Sequence, residues 1–241
     1  IHNLPTALVS DTLNYPKFYI HDTTEYVRQS LAIWEELGFE FDAISTGFIV
    51  TEEEARIISD FCHRRAQKGT KVFVDPIMGD NGKLYAGVPE STIGLMRHLL
   101  ECADYAVPNY TEACLLADRP IAEEITPDEG RALVDAVREL GAKSVVITSA
   151  VVNGTNAVIG YDHVAGEYFM IPFELIPVYF PGTGDTFSAV LVGRVMAGWS
   201  LQRATSDAMR VVAELIERNV DQEDKSAGLP IEARLDVIDH E

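Results

Sequence analysis

The segment from Phe180 to Phe187 reads Phe-Pro-Gly-Thr-Gly-Asp-Thr-Phe, which places flexible backbone and one carboxylate directly before an apolar run. Gly182 and Gly184 allow a tight turn whose N–H groups point inward, and the positive end of a following helix would strengthen their field. Such a turn can hold a phosphate group. Asp185 would lie beside the phosphate, where its carboxylate can take the proton of an attacking hydroxyl group. The motif therefore predicts a kinase site.

A purely structural interpretation fits the same residues. A Gly-x-Gly-Asp turn before a helix also satisfies the free amide groups of the first helical turn, with Asp185 as a capping residue. The motif by itself does not separate an anion site from a capped loop.

The composition limits the possible partners. The chain has 241 residues, of which 47% are hydrophobic, so it can bury a large core, and we expect one domain over 1–241. Its formal net charge is −19. Nucleic acids and anionic membranes are excluded as partners, because they would be repelled over a Debye length of about 8 Å. Free Mg2+ would be attracted, and a bound phosphate would depend on backbone amides and cations.

The cysteines and histidines indicate neither a disulfide framework nor a zinc site. Cys62, Cys102 and Cys114 lack the spacing of both, and their apolar surroundings predict buried thiols in a reducing compartment, the cytoplasm. The six histidines are scattered. No apolar run approaches the ~20 residues that span a bilayer, and no signal peptide is visible.

Short β-branched runs alternate with amphipathic stretches along the chain, which is typical of repeated strand-helix units in a mainly parallel sheet. Residues 156–161 and 166–170 alternate around a turn and predict an antiparallel hairpin at one edge of this sheet. Two long helices are expected at 184–197 and 201–218. The strand candidates are 5–9, 42–46, 71–74, 104–107 and 143–148.

Two intervening helices have recognisable ends. Thr51 and Glu54 form a predicted capping box, and Gly69 closes that helix. Thr126, followed by Pro127 and Glu129, opens another helix, which ends before Gly141.

Polar residues follow three of the strand candidates. Asp75 comes after 71–74, Asn109 and Glu112 come after 104–107, and Thr148 and Ser149 lie where 143–148 ends. Because ligands bind at the carboxyl ends of strands in open α/β sheets, these residues are expected to converge on one crevice with the 182–185 turn.

Each of these residues also has a structural interpretation. Asn109 with Glu112 is a common helix N-cap with its capping partner, Asp75 can be a turn residue before Pro76, and Thr148 can cap backbone. The segment 77–87 has neither helical nor strand periodicity, so it is read as a mobile lid that excludes water, although an ordinary exposed loop would look similar. The lid residues are Gly79, Asp80 and Tyr85.

The ordered set of motifs resembles the vitamin kinase branch of the ribokinase-like superfamily, and most closely its pyridoxal kinases. The motifs are Asp75-Pro-Ile-Met-Gly, Asn109-x-x-Glu112, Ile147-Thr-Ser and Gly182-Thr-Gly-Asp185. The resemblance also includes Leu4–Ser10 and the stretch from Asp42 to Phe48, and it covers nearly the whole chain.

The resemblance implies a three-layer α/β/α fold with a central, mainly parallel sheet, often in a homodimer. It implies transfer of the γ-phosphoryl group of ATP to the 5-hydroxymethyl group of pyridoxal, pyridoxine or pyridoxamine. The implied partners are a B6 vitamer and ATP, with Mg2+ as cofactor. Whether K+ is also needed, and which vitamer is preferred, stays open.

The resemblance also implies roles for individual residues. Asp185 matches the family's catalytic aspartate and would contact the substrate. Glu112 and Asp75 would bind or position Mg2+, which prefers hard oxygen ligands. Substrate contacts are further expected from Ser10 and Phe48. The anion hole would consist of the amides of Gly182, Thr183 and Gly184. The ATP contacts would come from Asp75, Asn109, Glu112, Thr148 and Ser149.

The chain departs from the family pattern in three places. The family begins with a strand and a Ser-Gly-rich turn, and nothing before Ile1 supplies them. Since a sheet without a central strand would leave two ladders unpaired, we expect residues upstream of Ile1. After Ser10, the chain reads Asp-Thr-Leu-Asn-Tyr where many relatives have x-His-Thr-Gly. Phe48 stands where some relatives carry Tyr.

Two other functions remain open at this stage. A hydroxymethylpyrimidine kinase of thiamine synthesis shares the Asp-Pro, Asn-x-x-Glu and Gly-Thr-Gly-Asp motifs. A non-catalytic vitamin- or nucleotide-binding relative would have no need of a positioned base, so Asp185 and Glu112 favour an enzyme.

Overall fold

The computed structural model describes residues 1–10, 17–85 and 87–238. Its strands are β1 Ala7–Val9, β2 Ile20–Asp22, β3 Ala43–Thr46, β4 Lys71–Val74, β5 Gly79–Asp80, β6 Lys83–Leu84, β7 Tyr105–Ala106, β8 Ser144–Val152, β9 Thr155–Asp162 and β10 Glu167–Pro172. Its α-helices are α1 Thr24–Glu36, α2 Glu52–Ala66, α3 Ser91–Leu100, α4 Tyr110–Leu116, α5 Pro127–Arg138, α6 Thr183–Met196 and α7 Leu201–Glu217. Short 3-10 helices follow at Lys225–Ala227 and Ile231–Val237.

One six-stranded sheet organises the molecule, in the order β10-β9-β8-β7-β4-β3. In this sheet, β3, β4, β7 and β8 pair in parallel, whereas β9 and β10 are antiparallel. The fold class is confirmed, including the predicted hairpin at one edge of the sheet. Each parallel strand delivers its carboxyl end to the same edge, where the polar motifs begin.

Helices cover both faces of the sheet and bury one apolar core on each side. Successive residues of β8 show the division, because Val145 and Ile147 lie in the core beneath α1 to α5, whereas Val146 lies in the core beneath α6 and α7. This alternation follows from the two-residue period of a strand. The result is the three-layer architecture.

The segment 5–9 does not join the main sheet as predicted. Residues Ala7–Val9 instead pair with β2 as a separate two-stranded antiparallel sheet, in which Leu8 and Val9 are exposed. Within the described ranges, the main sheet runs from β10 to β3 in the order given above without an interior gap. It therefore does not show the two unpaired ladders of a missing central strand, while the expectation of residues upstream of Ile1 stays a prediction.

Helix ends follow the sequence signals with one exception. Thr126 and Glu129 form a full capping box at α5. Thr51 accepts a hydrogen bond from the Glu54 N–H, but the Glu54 carboxyl group accepts from the N–H of Val50 rather than from that of Thr51. Only half of the predicted capping box forms at α2, because the Glu54 side chain turns toward the core.

Glu54 carries a fully buried carboxyl group. Its Oε2 accepts from the Val50 N–H at 3.1 Å, and its Oε1 accepts from the Thr23 hydroxyl at 3.5 Å. Burial raises the pKa of Glu54 to about 7 against the effect of the Val50 hydrogen bond, and the charge of Asp22 adds to the rise. The folded protein therefore favours the protonated form of this group.

In the described part of the chain, no helix is both long and apolar enough to cross a membrane.

Glu54→Gln is expected to reduce the pH dependence of the free energy of unfolding. A folded pKa of about 7 against an ordinary value of 4.5 stabilises the fold fully below pH 4.5, and this stabilisation is lost as the pH rises to about 7. Glutamine imitates the protonated acid, so the variant should lose less stability than the parent across this range. Urea unfolding at several pH values measures the effect.

The control is Glu36→Gln, which changes an exposed carboxyl group on α1. A parent and a Glu54→Gln variant whose stabilities fall in parallel with rising pH would contradict the assignment.

Candidate active site

A cavity of about 620 Å3 lies at the carboxyl ends of the parallel strands, beside the N-terminus of α6. It brings together most of the residues that the sequence pointed to. These are Asp75, Asp80, Tyr85, Asn109, Glu112, Thr148, Ser149, Gly182, Thr183, Gly184 and Asp185. The predicted convergence of strand ends on one crevice is confirmed.

The N-terminus of α6 opens into this cavity. Gly182 is the N-cap residue with a φ of 84°, a left-handed conformation that glycine adopts without strain. Among the residues that the structure describes, no side chain caps the helix. The hydroxyl and N–H of Thr186 both donate to the Gly182 carbonyl, at 2.9 and 3.0 Å. The expectation that Asp185 serves as a cap is wrong, and its exposed carboxylate lines the cavity instead.

Asp75 directly follows β4 and lies partly buried opposite α6. Its Oδ2 accepts a hydrogen bond from the Ser188 hydroxyl at 2.9 Å. Burial raises the pKa of Asp75 to about 7; the Ser188 hydrogen bond opposes this rise, and the charge of Asp185 adds to it. The cavity thus holds two acidic groups close enough to influence each other.

Asn109 and Glu112 form a complete capping box at α4. The Asn109 Oδ1 accepts from the Glu112 N–H at 2.9 Å, and the Glu112 Oε2 accepts from the Asn109 N–H at 2.9 Å. The structural interpretation of this pair is therefore confirmed. Both residues also border the cavity, so capping does not remove them from the site.

Glu112 also holds the segment that follows Asp75. Its Oε1 accepts hydrogen bonds from the backbone N–H groups of Met78 and Gly79, at 3.0 and 3.4 Å. The side-chain amide of Asn109 donates to the Gly79 carbonyl at 2.8 Å. Burial raises the pKa of Glu112 to about 8, although its backbone hydrogen bonds act in the opposite direction. Both carboxyl oxygens accept hydrogen bonds from backbone amides, so a metal ion bound by Glu112 would share its oxygen with an amide.

The predicted lid segment contains a β-hairpin, which the sequence analysis missed. Strands β5 and β6 pair around Asn81 and Gly82, whose φ values of 51° and 80° are typical of a tight hairpin turn. The Gly82 N–H donates to the Thr111 hydroxyl at 3.0 Å. An Asn-Gly pair is a strong hairpin signal, so this element could have been predicted. Its role as a lid stays a prediction.

Thr148 and Ser149 lie inside a strand rather than beyond its end, because β8 extends to Val152. The pairing of β8 with β9 shifts between Ile147 and Ala150, and Ser149 has a φ of 60°. This bulge interrupts the strand beside the cavity and exposes both residues to it. The sequence contains no clear signal for such an irregularity.

The predicted substrate contacts Ser10 and Phe48 do not line the cavity. The Ser10 hydroxyl accepts from the Tyr19 N–H at 2.8 Å, and the Phe48 carbonyl accepts from the Thr6 hydroxyl at 2.5 Å. These contacts place both residues in the neighbouring β1–β2 region. The departure from the family pattern at Asp11 and Thr12 lies outside the described residues, so the substrate side of the site rests on prediction.

Two features of the cavity were not anticipated. Ser188 lies three residues after Asp185, a spacing that puts the two side chains on the same face of α6, so the helical period could have identified it. The second feature is the apolar end of the cavity, which is lined by residues of β9, the segment after β10 and α7. Its residues include Val158, Phe173, Met209, Val212 and Ile216.

The donor set fits a magnesium ion that is brought in with a phosphate ligand. Asp75, Asp80 and Asp185 supply hard oxygen atoms around the cavity. Within the described ranges, no cluster of three His, Cys, Asp or Glu residues forms a metal site by itself. Mg2+ commonly uses one or two protein carboxylates together with phosphates and water, so the arrangement suits that ion.

Comparison with known proteins gives a consistent result. The family model for phosphomethylpyrimidine kinase matches residues 5–229. The pyridoxal kinase of Arabidopsis thaliana is 32% identical over 174 residues, which are 68% of this chain and 53% of that protein. The chain spans about half the length of the curated relatives it matches.

Two solved structures are also similar. A candidate phosphomethylpyrimidine kinase from Bacteroides thetaiotaomicron, in its orthorhombic form with pyridoxal, has a TM-score of 0.93 and 32% identity, covering 98% of this chain and 84% of that one. Pyridoxal kinase from Lactobacillus plantarum has a TM-score of 0.85 and 27% identity, with coverage of 98% and 84%.

Gly79→Ala is expected to open the hairpin and to lower stability by about 1–3 kcal/mol. A Cβ at this position would lie 2.4 Å from the Lys83 carbonyl oxygen and 3.0 Å from the Leu84 Cα, both of which are backbone atoms. Urea unfolding and hydrogen exchange of the hairpin amides measure the two effects.

Gly94→Ala in α3 is the matched control, because nothing lies within 4 Å of its added Cβ. It should stabilise the protein by about 0.5–1 kcal/mol. Unchanged stability and unchanged amide protection in Gly79→Ala would show that the hairpin does not have the described geometry.

Proposed function

The chain belongs to the phosphomethylpyrimidine kinase family, and we propose that it transfers the γ-phosphoryl group of ATP to the hydroxymethyl group of a B6 vitamer. One observation carries this proposal: the uncapped N-terminus of α6 and the exposed carboxylate of Asp185 line the same cavity. A helix N-terminus that can bind an anion is therefore close to a carboxylate that can accept a proton.

The first turn of α6 would hold the phosphoryl group that is transferred. The amides of Gly182, Thr183 and Gly184 offer donors at the positive end of a helix, and no side-chain oxygen competes for them as a cap. In a chain of net charge −19, this local field must overcome a repulsive overall charge. Backbone amides suit that task because their position is set by the fold.

Asp185 would accept the proton of the substrate hydroxyl group. Its exposed position leaves it accessible to a substrate, and the adjacent amides would stabilise the phosphoryl oxygens as the hydroxyl oxygen attacks. When bound, Mg2+ would neutralise charge on the phosphates. Asp75 is the carboxylate best placed to serve that cation, and Glu112 would act by holding the hairpin and α4 around it.

The apolar end of the cavity would accommodate the base of ATP. Residues from β9, the segment after β10 and α7 form an apolar surface that can pack on a flat ring. Asn109, Thr148 and Ser149 line the same cavity, which is consistent with contacts to the remaining phosphates.

A pyrimidine substrate is the second candidate. The matching family model takes its name from phosphomethylpyrimidine kinase, and a hydroxymethylpyrimidine also presents a hydroxymethyl group on a flat ring. The similarity to pyridoxal kinases and the Pro5-Thr6-Ala7-Leu8 segment favour a B6 vitamer. A non-catalytic relative would leave the position of Asp185 unexplained.

A homodimer and a cytoplasmic location complete the proposal. Large apolar side chains are exposed in or next to the β1–β2 sheet and α1, which supports a second copy as partner. These residues include Leu8, Tyr19, Tyr26, Ile33 and Leu37.

All three cysteines are free thiols, which is consistent with a reducing compartment.

Asp185→Ala is expected to lower kcat by about 10²- to 10⁴-fold, the usual contribution of a general base, while ATP affinity changes little. Phosphorylation assays and calorimetry measure the two quantities. The control is Asp128→Ala, which removes an acidic residue from the first turn of another helix, α5, and should leave kcat unchanged. An equal loss of ATP affinity and turnover in Asp185→Ala would contradict its role as base.

A substrate panel separates the candidate functions. Pyridoxal, pyridoxine, pyridoxamine and hydroxymethylpyrimidine would be compared with Mg-ATP, in K+ and in Na+ buffers. Preference for a vitamer supports the proposal, and preference for the pyrimidine supports the second candidate. ATP binding without turnover of any substrate would indicate a binding protein.

A further inference from the structure

We propose that Ser188 is a positioning residue that acts through Asp75 to set the affinity of the site for Mg-ATP. The inference rests on the proposed function, since it concerns the same cavity. It assigns Ser188 to holding Asp75 in place, without requiring any contact between Ser188 and the reacting atoms.

The hydrogen bond between the two residues joins distant parts of the chain. The Ser188 hydroxyl donates to the Asp75 Oδ2 at 2.9 Å, across 113 positions in the sequence. It connects the carboxyl end of β4 with the second turn of α6. Both residues line the cavity, so the bond lies at the site.

The direction of the Ser188 hydroxyl group is informative. Serine and threonine inside a helix commonly donate to a carbonyl of the preceding turn, as Thr186 does when its hydroxyl binds the Gly182 carbonyl at 2.9 Å. Ser188 lies two residues further along the same helix but donates to another element. Its hydroxyl group therefore links α6 to the end of β4 instead of bonding within its own helix.

The Ser188 hydrogen bond can hold the Asp75 carboxylate in place. Asp185 is a nearby carboxylate, and repulsion between the two groups would drive Asp75 away from the cavity or favour other rotamers. In the part of the chain that the structure describes, the Ser188 bond is the one hydrogen bond to the Asp75 carboxylate. It occupies Oδ2 and leaves Oδ1 available to a cation or water.

The spacing along α6 adds to this geometry. Asp185 and Ser188 are three residues apart and so lie on one face of the helix. The helix thereby presents its own carboxylate and fixes a second one from β4. Ser188 thus couples the position of the two acidic groups that flank the proposed phosphate site.

A double-mutant cycle between Ser188 and Asp75 tests the inference. Calorimetry of ATP binding would give the Mg2+ concentration for half-maximal binding in the parent, Ser188→Ala, Asp75→Asn and the double variant. Because a hydrogen bond to a charged group is lost, Ser188→Ala should raise this concentration about tenfold. In the Asp75→Asn background, the same change should have little effect, since its partner is already altered.

Two further variants separate positioning from general structure. Ser188→Thr keeps the hydroxyl group and should retain most of the parent's Mg2+ dependence. Ser206→Ala makes the same chemical change at an exposed position of α7 and should behave as the parent. A merely structural Ser188 would lower thermal stability without moving the Mg2+ midpoint.

The possible results are distinct. An equal shift of the Mg2+ midpoint in both backgrounds, or no shift in Ser188→Ala, would overturn the inference even if the parent phosphorylates a vitamer. A parent that binds Mg-ATP without turnover would count against the proposed function, while the binding cycle would still decide the role of Ser188. A parent that does not bind Mg-ATP would overturn both.

Discussion

The buried carboxyl group of Glu112 joins the parts of the molecule on which the site depends. One of its oxygens closes the N-terminus of α4, and the other accepts from two amides at the start of the β5–β6 hairpin. A buried carboxyl group is costly unless its hydrogen bonds are satisfied, and here backbone amides satisfy both oxygens. The cap and the hairpin are consequently held in one arrangement, and Asp75 lies just before the hairpin in the sequence.

The other constraint is electrostatic. The chain is strongly acidic, yet the cavity suits a highly charged anion and is itself lined by carboxyl groups. The positive contribution comes from the uncapped first turn of α6, where the dipole and free amides act at short range. Burial raises the pKa of the Asp75 carboxyl group, whereas the hydrogen bond from Ser188 lowers it. An entering cation would relieve the repulsion, so in the proposed function the nucleotide and the metal would bind together.

Local signals were reliable where the chain itself supplies the interaction. The Thr126 capping box, the hairpin of β9 and β10, and the starts of α6 and α7 depend on neighbouring residues, and they appear as predicted. The Asn81-Gly82 hairpin is equally local, but its two-residue strands are too short to show a strand period, so the turn residues are its one sequence signal. Glu54 shows the opposite case. Its position predicts a hydrogen bond to the Thr51 N–H, but its buried carboxyl group accepts from Thr23 and Val50 instead.

By itself, the sequence determined the alternation of strands and helices, the polar residues near the ends of three parallel strands, and the glycine-rich turn at 182–185 before α6. Those features follow from periodicity and from backbone preferences within a few residues. Only the tertiary structure decided that β1 leaves the main sheet, that Ser149 lies in a bulge, and that Ser188 binds Asp75. It also excluded Ser10 and Phe48 from the described cavity. These outcomes depend on contacts between distant segments, whose distances and burial no local pattern encodes.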